Sequence, residues 1–316
     1  MTLAKYQGRG CSYSVTGRCA DRRMGLIPST KVFEAVRFSL ARAVHMYALE
    51  VHLVMVMGNH IHLEVTDRHG NLSKMMCLFK SLVARALNCA RGSWEYFWGP
   101  TRKSTMLVTT YADAVARFAY DLVNPVAAGM VSTCEAWPGW STKPADLLTI
   151  ADGGLTVVVD KPDFFFRKEK DGGQIPDQLT LTFTPHPLAG DDPKKFAEDV
   201  IAEVNTLVAR AHREAKRKRR RFKGAARVRR MKWHFRAASK AKRRSLIPAF
   251  VAKDMVRRLA LMRGYADWLK AYTKARLRWL KTGRAAFPAG TNAMRGLPGV
   301  TVRAGPVLWI ATLTPG

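Results

Sequence analysis

The stretch "VMVMGNHIHLEV", residues 54–65, limits what this chain can fold into more than any other. "EVHLVMVM" (50–57) is rich in Val, Leu and Met and reads as a buried strand. Gly58-Asn59 is a turn pair, and "HIHLEVT" reads as the returning strand of a β-hairpin. Strand side chains alternate, so His60 and His62 share one face, about 6.5 to 7 Å apart along the strand, while Ile61 and Leu63 face a core. Two imidazoles so placed can converge on one divalent ion, or be two side chains beside a turn. The pair alone leaves both readings open.

A hairpin needs layers around it. "STKVFEAVRFSLARAVHMYAL" places Val32, Phe33, Val36, Leu40, Val44 and Tyr47 at helical spacing, with Ser29 or Thr30 as cap. "SYSVTGRC" and "STMLVT" are strand candidates, and "NLSKMMCLFKSLVARALNCA" is a second amphipathic helix. A third helix is expected from about Ala112 to Val123 and is stopped by Asn124-Pro125, because proline disfavours helix in the residue before it. This order predicts an α+β fold, a small antiparallel sheet with packed helices. The first domain is expected over 1–150. Residues 151–190, with "LTVVVD" and "QLTLTFTP", read as a linker with short strands, and 191–316 as a basic, mainly helical extension. No internal repeat stands out.

Charge divides the chain as well. Fifty-three Lys and Arg oppose 24 Asp and Glu, a net charge of +29. Residues 1–150 carry about +7 of it and the remainder about +22. Such self-repulsion points to a polyanionic partner, and nucleic acid is the commonest. In "REAKRKRRRFKGAARVRRMKWHFRAASKAKRRS", from Arg213, Lys216, Arg217, Lys218, Arg219, Arg220, Arg221, Lys223, Arg229 and Arg230 are candidate phosphate contacts. Trp233, His234 and Phe235 add rings that can stack on unpaired bases. "RGSWEYFWGPTRKS" mixes Trp94, Tyr96, Phe97 and Trp98 with Arg102 and Lys103, a second mixture of stacking surface and cations. No apolar run reaches membrane-spanning length. The start "MTLAKYQGRGCS" lacks the apolar stretch of a secretory signal, so a cytoplasmic protein is expected. The five cysteines form no CxxC pair, which disfavours a zinc finger or a disulfide framework.

Several motifs, in order, resemble one family. "VMGNHIHLEV" is similar to the "MPNHxHLLV" signature of the REP-associated tyrosine transposases and related single-tyrosine HUH endonucleases. "YDLVNPVAAGMV" (120–131) is similar to their "YxxxNPVRAGLV", and "WPGWST" to "YPWSS". "GNLSKMM" and "YFWGPTRKSTMLV" fall where the family carries "GNLS" and "FxGRFKAxLV". The likeness covers roughly residues 10–142 and thins over the basic half, where "FPAGT" remains.

The resemblance implies Tyr120 as a nucleophile that forms a 5′-phosphotyrosine with single-stranded DNA. It implies His60 and His62 as metal ligands and Asn124, one helical turn beyond the tyrosine, as the third. Mg²⁺ or Mn²⁺ is the expected cofactor. Hairpin or palindromic repeats are the expected target, and monomer and homodimer both stay open. Three positions depart from the pattern: Gly58 replaces Pro, Ala127 replaces Arg, and Glu64 replaces Leu. Glu64, on the histidine face, is an accessory ligand or base, or else sits at the sheet edge in solvent. Tyr111 is a rival nucleophile. The alternatives are a non-catalytic DNA- or RNA-binding protein with a decayed site and a zinc hydrolase, which needs a further ligand.

Overall fold

A computed structural model of the chain describes residues 4, 6–99, 104–166, 173–237 and 250–304. The expected hairpin forms its centre. Strand β2 (Glu50–Val56) pairs antiparallel with β3 (His60–Asp67), and β3 pairs antiparallel on its other side with β1 (Cys11–Arg18). Strand β4 (Ser104–Val108) extends the sheet beyond β1. On the far side come β6 (Gln178–Phe183), parallel to β2, and β5 (Leu155–Asp160), antiparallel to β6. The result is a six-stranded, mostly antiparallel sheet of order β4-β1-β3-β2-β6-β5. The two strands read within the 151–190 segment therefore belong to the same sheet as the hairpin.

Register explains why β3 can carry polar side chains. Tyr13, Val15, Ile61, Leu63 and Val65 are buried apolar residues on the pleat. The opposite face of β3 presents His60, His62, Glu64 and Thr66. Between Val51 and Leu53 the ladder shifts by one residue, a β-bulge that leaves His52 as the inserted position. Its Nε2 lies 2.8 Å from Thr66 Oγ1 and its Nδ1 2.9 Å from the Thr184 carbonyl, which ties the β2–β6 junction together.

Helix α1 (Thr30–Tyr47) starts where the Ser29 hydroxyl accepts the Val32 N–H at 3.3 Å, and it packs on α2 (Leu72–Cys89). Helix α3 (Tyr111–Ala127) is capped by Thr110 and crosses the polar face of β3. Its end differs from expectation. The helix runs through Asn124-Pro125 and stops at Gly129, whose φ of +69° allows Gly129 N to reach Val126 O at 2.8 Å and Met130 N to reach Pro125 O at 3.0 Å. This pair of bonds is the Schellman arrangement, and it favours glycine at that position. Proline within the last turn removes one backbone donor without closing the helix.

Two further helices follow β4 and α3: α4 (Asp146–Ala151) and the long α5 (Pro193–Arg217), capped by Asp192, which packs along α3. After the short α6 (Ala225–Arg229), helix α7 (Met255–Thr282) packs against a small parallel pair, β7 (Ala285–Phe287) and β8 (Val300–Val302). The "FPAGT" turn joins this unit to the N-terminal segment. Gln7 N donates to Gly290 O at 2.8 Å, and a Cβ on Gly290 would sit 1.9 Å from the Tyr6 ring. Among the described residues no helix is long and apolar enough to cross a membrane, and the five cysteines are free.

Candidate active site

Strand β3 and helix α3 meet face to face, and the expected site residues lie where they meet. The His60 and His62 rings are 4.8 Å apart between centroids, and the Tyr120 ring is 6.2 Å from that of His62. Asn124, one turn beyond Tyr120, puts Nδ2 3.3 Å from His62 Nε2. A half-turn of that amide exchanges its nitrogen and oxygen, an assignment set by hydrogen bonding rather than by shape.

Each imidazole has an oxygen beside its inner nitrogen. His60 Nδ1 lies 2.6 Å from Asn59 Oδ1, and His62 Nδ1 lies 3.0 Å from Asp121 Oδ1. The Asn59 contact favours a proton on His60 Nδ1, whereas His62 Nδ1 also lies 3.0 Å from Arg117 Nη2 and His62 Nε2 faces the Asn124 amide. Burial, and next the His62 ring, holds His60 well below the ordinary histidine range, so it is neutral and able to ligate. No group of three or more His, Cys, Asp or Glu set to hold a metal occurs among the described residues. The Asn124 amide beside His62 Nε2 is the side chain that could supply a third donor. Two imidazoles beside an amide are a donor set whose chemistry fits a divalent cation.

Tyr120 is 52% exposed, and its hydroxyl has no protein partner among the described residues. Its ring is held instead by the Arg117 guanidinium, 4.6 Å from the centroid. Tyr111, the rival, is committed elsewhere. Its hydroxyl donates to Asp199 on α5 at 2.8 Å, and burial with that carboxylate pushes it up to about 12.

Glu64 is not at a solvent edge. Strand β3 is central and α3 covers its polar face, leaving Glu64 1% exposed. Arg117 Nε lies 3.5 Å from Glu64 Oε1 and donates to Ser14 Oγ at 2.6 Å, and Arg117 Nη2 lies 2.7 Å from Asp121 Oδ1. Burial, and then Asp121, pushes the Glu64 carboxyl well up. Burial works against Asp121 too, but His62 and Arg117 outweigh it and hold that carboxyl below its ordinary value. These contacts around Asp121 are ionic rather than well-aligned hydrogen bonds. Glu64 thus neighbours the site as a buried carboxyl beside Arg117 and Asp121.

Arg117 and Asp121 were not singled out from sequence. Their signal was present in "RFAYDLVN" as a second i,i+4 pair interleaved with Tyr120 and Asn124.

No protein-family model matches the chain, and no curated protein matches it. Two solved structures are similar in part. One is a REP-associated tyrosine transposase bound to a REP hairpin, with 19% identity and a TM-score of 0.41 over 56% of this chain and 98% of that one. The other, from Deinococcus radiodurans R1, is a protein assigned as a transposase, with 19% identity and a TM-score of 0.27 over 33% of this chain and 82% of that one.

The expected nucleic-acid residues fall into three groups. Lys216 and Arg217 end α5, Lys218, Arg219, Arg220, Arg221 and Lys223 follow it, and Arg229 and Arg230 close α6; all are exposed. Trp98 packs inward, with its ring 4.9 Å from that of Phe97 and its Nε1 donating to Lys80 O at 2.7 Å. Trp94 and Tyr96, 92% and 87% exposed, are the bare rings of that loop. Arg102 and Lys103, with residues 238–244 of the basic block, lie outside the described residues.

Proposed function

We propose that the chain is a metal-dependent, single-tyrosine HUH endonuclease that acts as a transposase on single-stranded DNA, with hairpin-forming repeats as its targets. One observation carries the reading: an unpartnered, exposed phenol stands beside two adjacent imidazoles, with an amide one turn along the same helix that reaches the His62 ring. The order of the sequence motifs supports the same assignment.

A bound Mg²⁺ or Mn²⁺ at His60, His62 and Asn124 would draw negative charge off the scissile phosphate. The Tyr120 oxygen attacks phosphorus; a P–O bond to tyrosine forms as the bond to the 3′ oxygen breaks. The phenol gives up its proton to solvent and the leaving 3′ oxygen takes one up, so the products are a 5′-phosphotyrosine and a 3′-hydroxyl that can later reverse the step. Arg117 fixes the direction of the Tyr120 ring, while Asn59 and Asp121 fix the two imidazoles. The exposed cations after α5 hold the DNA backbone.

Incubating the protein with a hairpin-bearing single-stranded DNA library and Mn²⁺ should yield a covalent protein–DNA adduct that survives denaturation. Tyr120→Phe should abolish it and His60→Ala should reduce it at least 100-fold, with DNA binding retained. An adduct undiminished in Tyr120→Phe sinks the assignment of the nucleophile. A library that binds without any adduct favours the non-catalytic binder.

A further inference from the structure

The end of α3 and the end of α5 enclose a cavity of about 640 Å³. One wall carries Tyr120 and Asn124; the other carries Arg210, Arg220, Arg221 and Lys223. Lys218 and Glu214, also on the lining, pair with each other and cancel. Arg220, Arg221 and Lys223 are exposed and have no carboxylate partner among the described residues.

This wall is anchored. Lys223 N donates to Gly129 O at 3.1 Å and Gly224 N to Met130 O at 2.9 Å, so the loop after α5 is bonded to the Schellman turn that ends α3. His212 Nε2 donates to Ser132 O at 2.7 Å, and its ring lies 4.9 Å from that of Phe222. The basic loop is therefore held at a set distance from Tyr120 by the same turn that ends the tyrosine's helix.

We infer that this cavity is the channel that seats the single strand next to the bond under attack, with Arg220, Arg221 and Lys223 gripping its phosphates. The inference rests on the endonuclease reading for the role of Tyr120, but the grip on a strand stands independently of it. The basic half is then a wall of the active site and not a separate tether. A site that grips phosphates without reading base edges binds single strands of any sequence.

The test uses the full chain and a fluorescent oligo-dT strand, without metal, so that binding is read apart from chemistry. Each phosphate contact contributes about 0.7 to the slope of log affinity against log salt for single strands. Arg220→Gln/Arg221→Gln should lower the slope by about 1.4, whereas Arg278→Gln/Lys281→Gln on α7 should leave it unchanged. Ala215→Trp, which fills the cavity without altering charge, should weaken oligo-dT binding at least tenfold. Circular dichroism confirms that each variant is folded. An unchanged slope in the first variant, or undisturbed binding by the filled cavity, overturns the inference. Failure of the wild type to form an adduct with any DNA would instead strike the endonuclease reading and leave these binding results to be judged alone.

Discussion

Two regions of this molecule treat charge in opposite ways. Beneath α3, the buried Glu64 and Asp121 carboxyls and the half-buried Arg117 guanidinium surround His62, each within 3.5 Å of a partner. Across the cavity, from Arg210 to Arg230, cations dominate and most project into solvent. Buried ions are costly to leave unpaired, so the first region sets positions within ångströms. Solvated ions interact weakly with each other and strongly with a polyanion, so on the proposed reading the second region sets affinity. The first fixes geometry, and the second is proposed to gather substrate.

The comparison breaks first at Arg117. Arg117→Met leaves the buried Asp121 carboxylate without its guanidinium, and chemical denaturation should register a loss of about 3–5 kcal/mol. A loss below 1 kcal/mol would mean that the cluster is hydrated.

A second trial uses pH. Burial holds His52 at about 4, against an ordinary 6.5, and His186, 4.9 Å away, is lowered for the same reason. The unfolded chain takes up these protons first. Stability should therefore be full above pH 6.5 and fall as the pH drops towards 4, by roughly 3 kcal/mol for His52 alone. His52→Gln should flatten that part of the curve measured by thermal or denaturant unfolding.

Asp121→Asn removes the anion beside His62 Nδ1. Calorimetric titration should find Mn²⁺ affinity about 10–100-fold weaker, with oligo-dT binding intact. Equal Mn²⁺ affinity would separate Asp121 from the site.

The exposed region gives the smallest effect on folding. Arg229→Gln/Arg230→Gln should alter unfolding free energy by less than about 0.5 kcal/mol and lower the salt slope by up to about 1.4. A loss of stability as large as that at Arg117 would erase the distinction between the two regions.

Much of the fold was legible beforehand. The Gly58-Asn59 hairpin, the strand–helix order through α3, the Ser29 cap and the strands at 155–160 and 178–183 follow from alternation, periodicity and turn residues. The end of α3 was misplaced because Pro125 is the louder local signal, while Gly129 acts through bonds that form only once the chain turns. Glu64 read more readily as a sheet-edge residue in solvent than as an accessory one, and it is buried instead, because a strand's position within a sheet is not encoded in its own alternation. Trp98 and Trp94 look alike in sequence; only packing beside Phe97 makes one an anchor and leaves the other bare.

The sequence by itself determined which side chains share a face: His60 with His62 and Glu64 by the two-residue period of a strand, Tyr120 with Asn124 and Arg117 with Asp121 by the turn of a helix. These are backbone properties, settled within a few residues. Tertiary structure decided that the two faces meet, that β5 and β6 complete the sheet, and that the basic loop after α5 stands opposite the tyrosine. Such contacts join segments from about 60 to 130 residues apart, and they exist because burying the apolar sides of β3, α3 and α5 in one core leaves their polar sides no other arrangement.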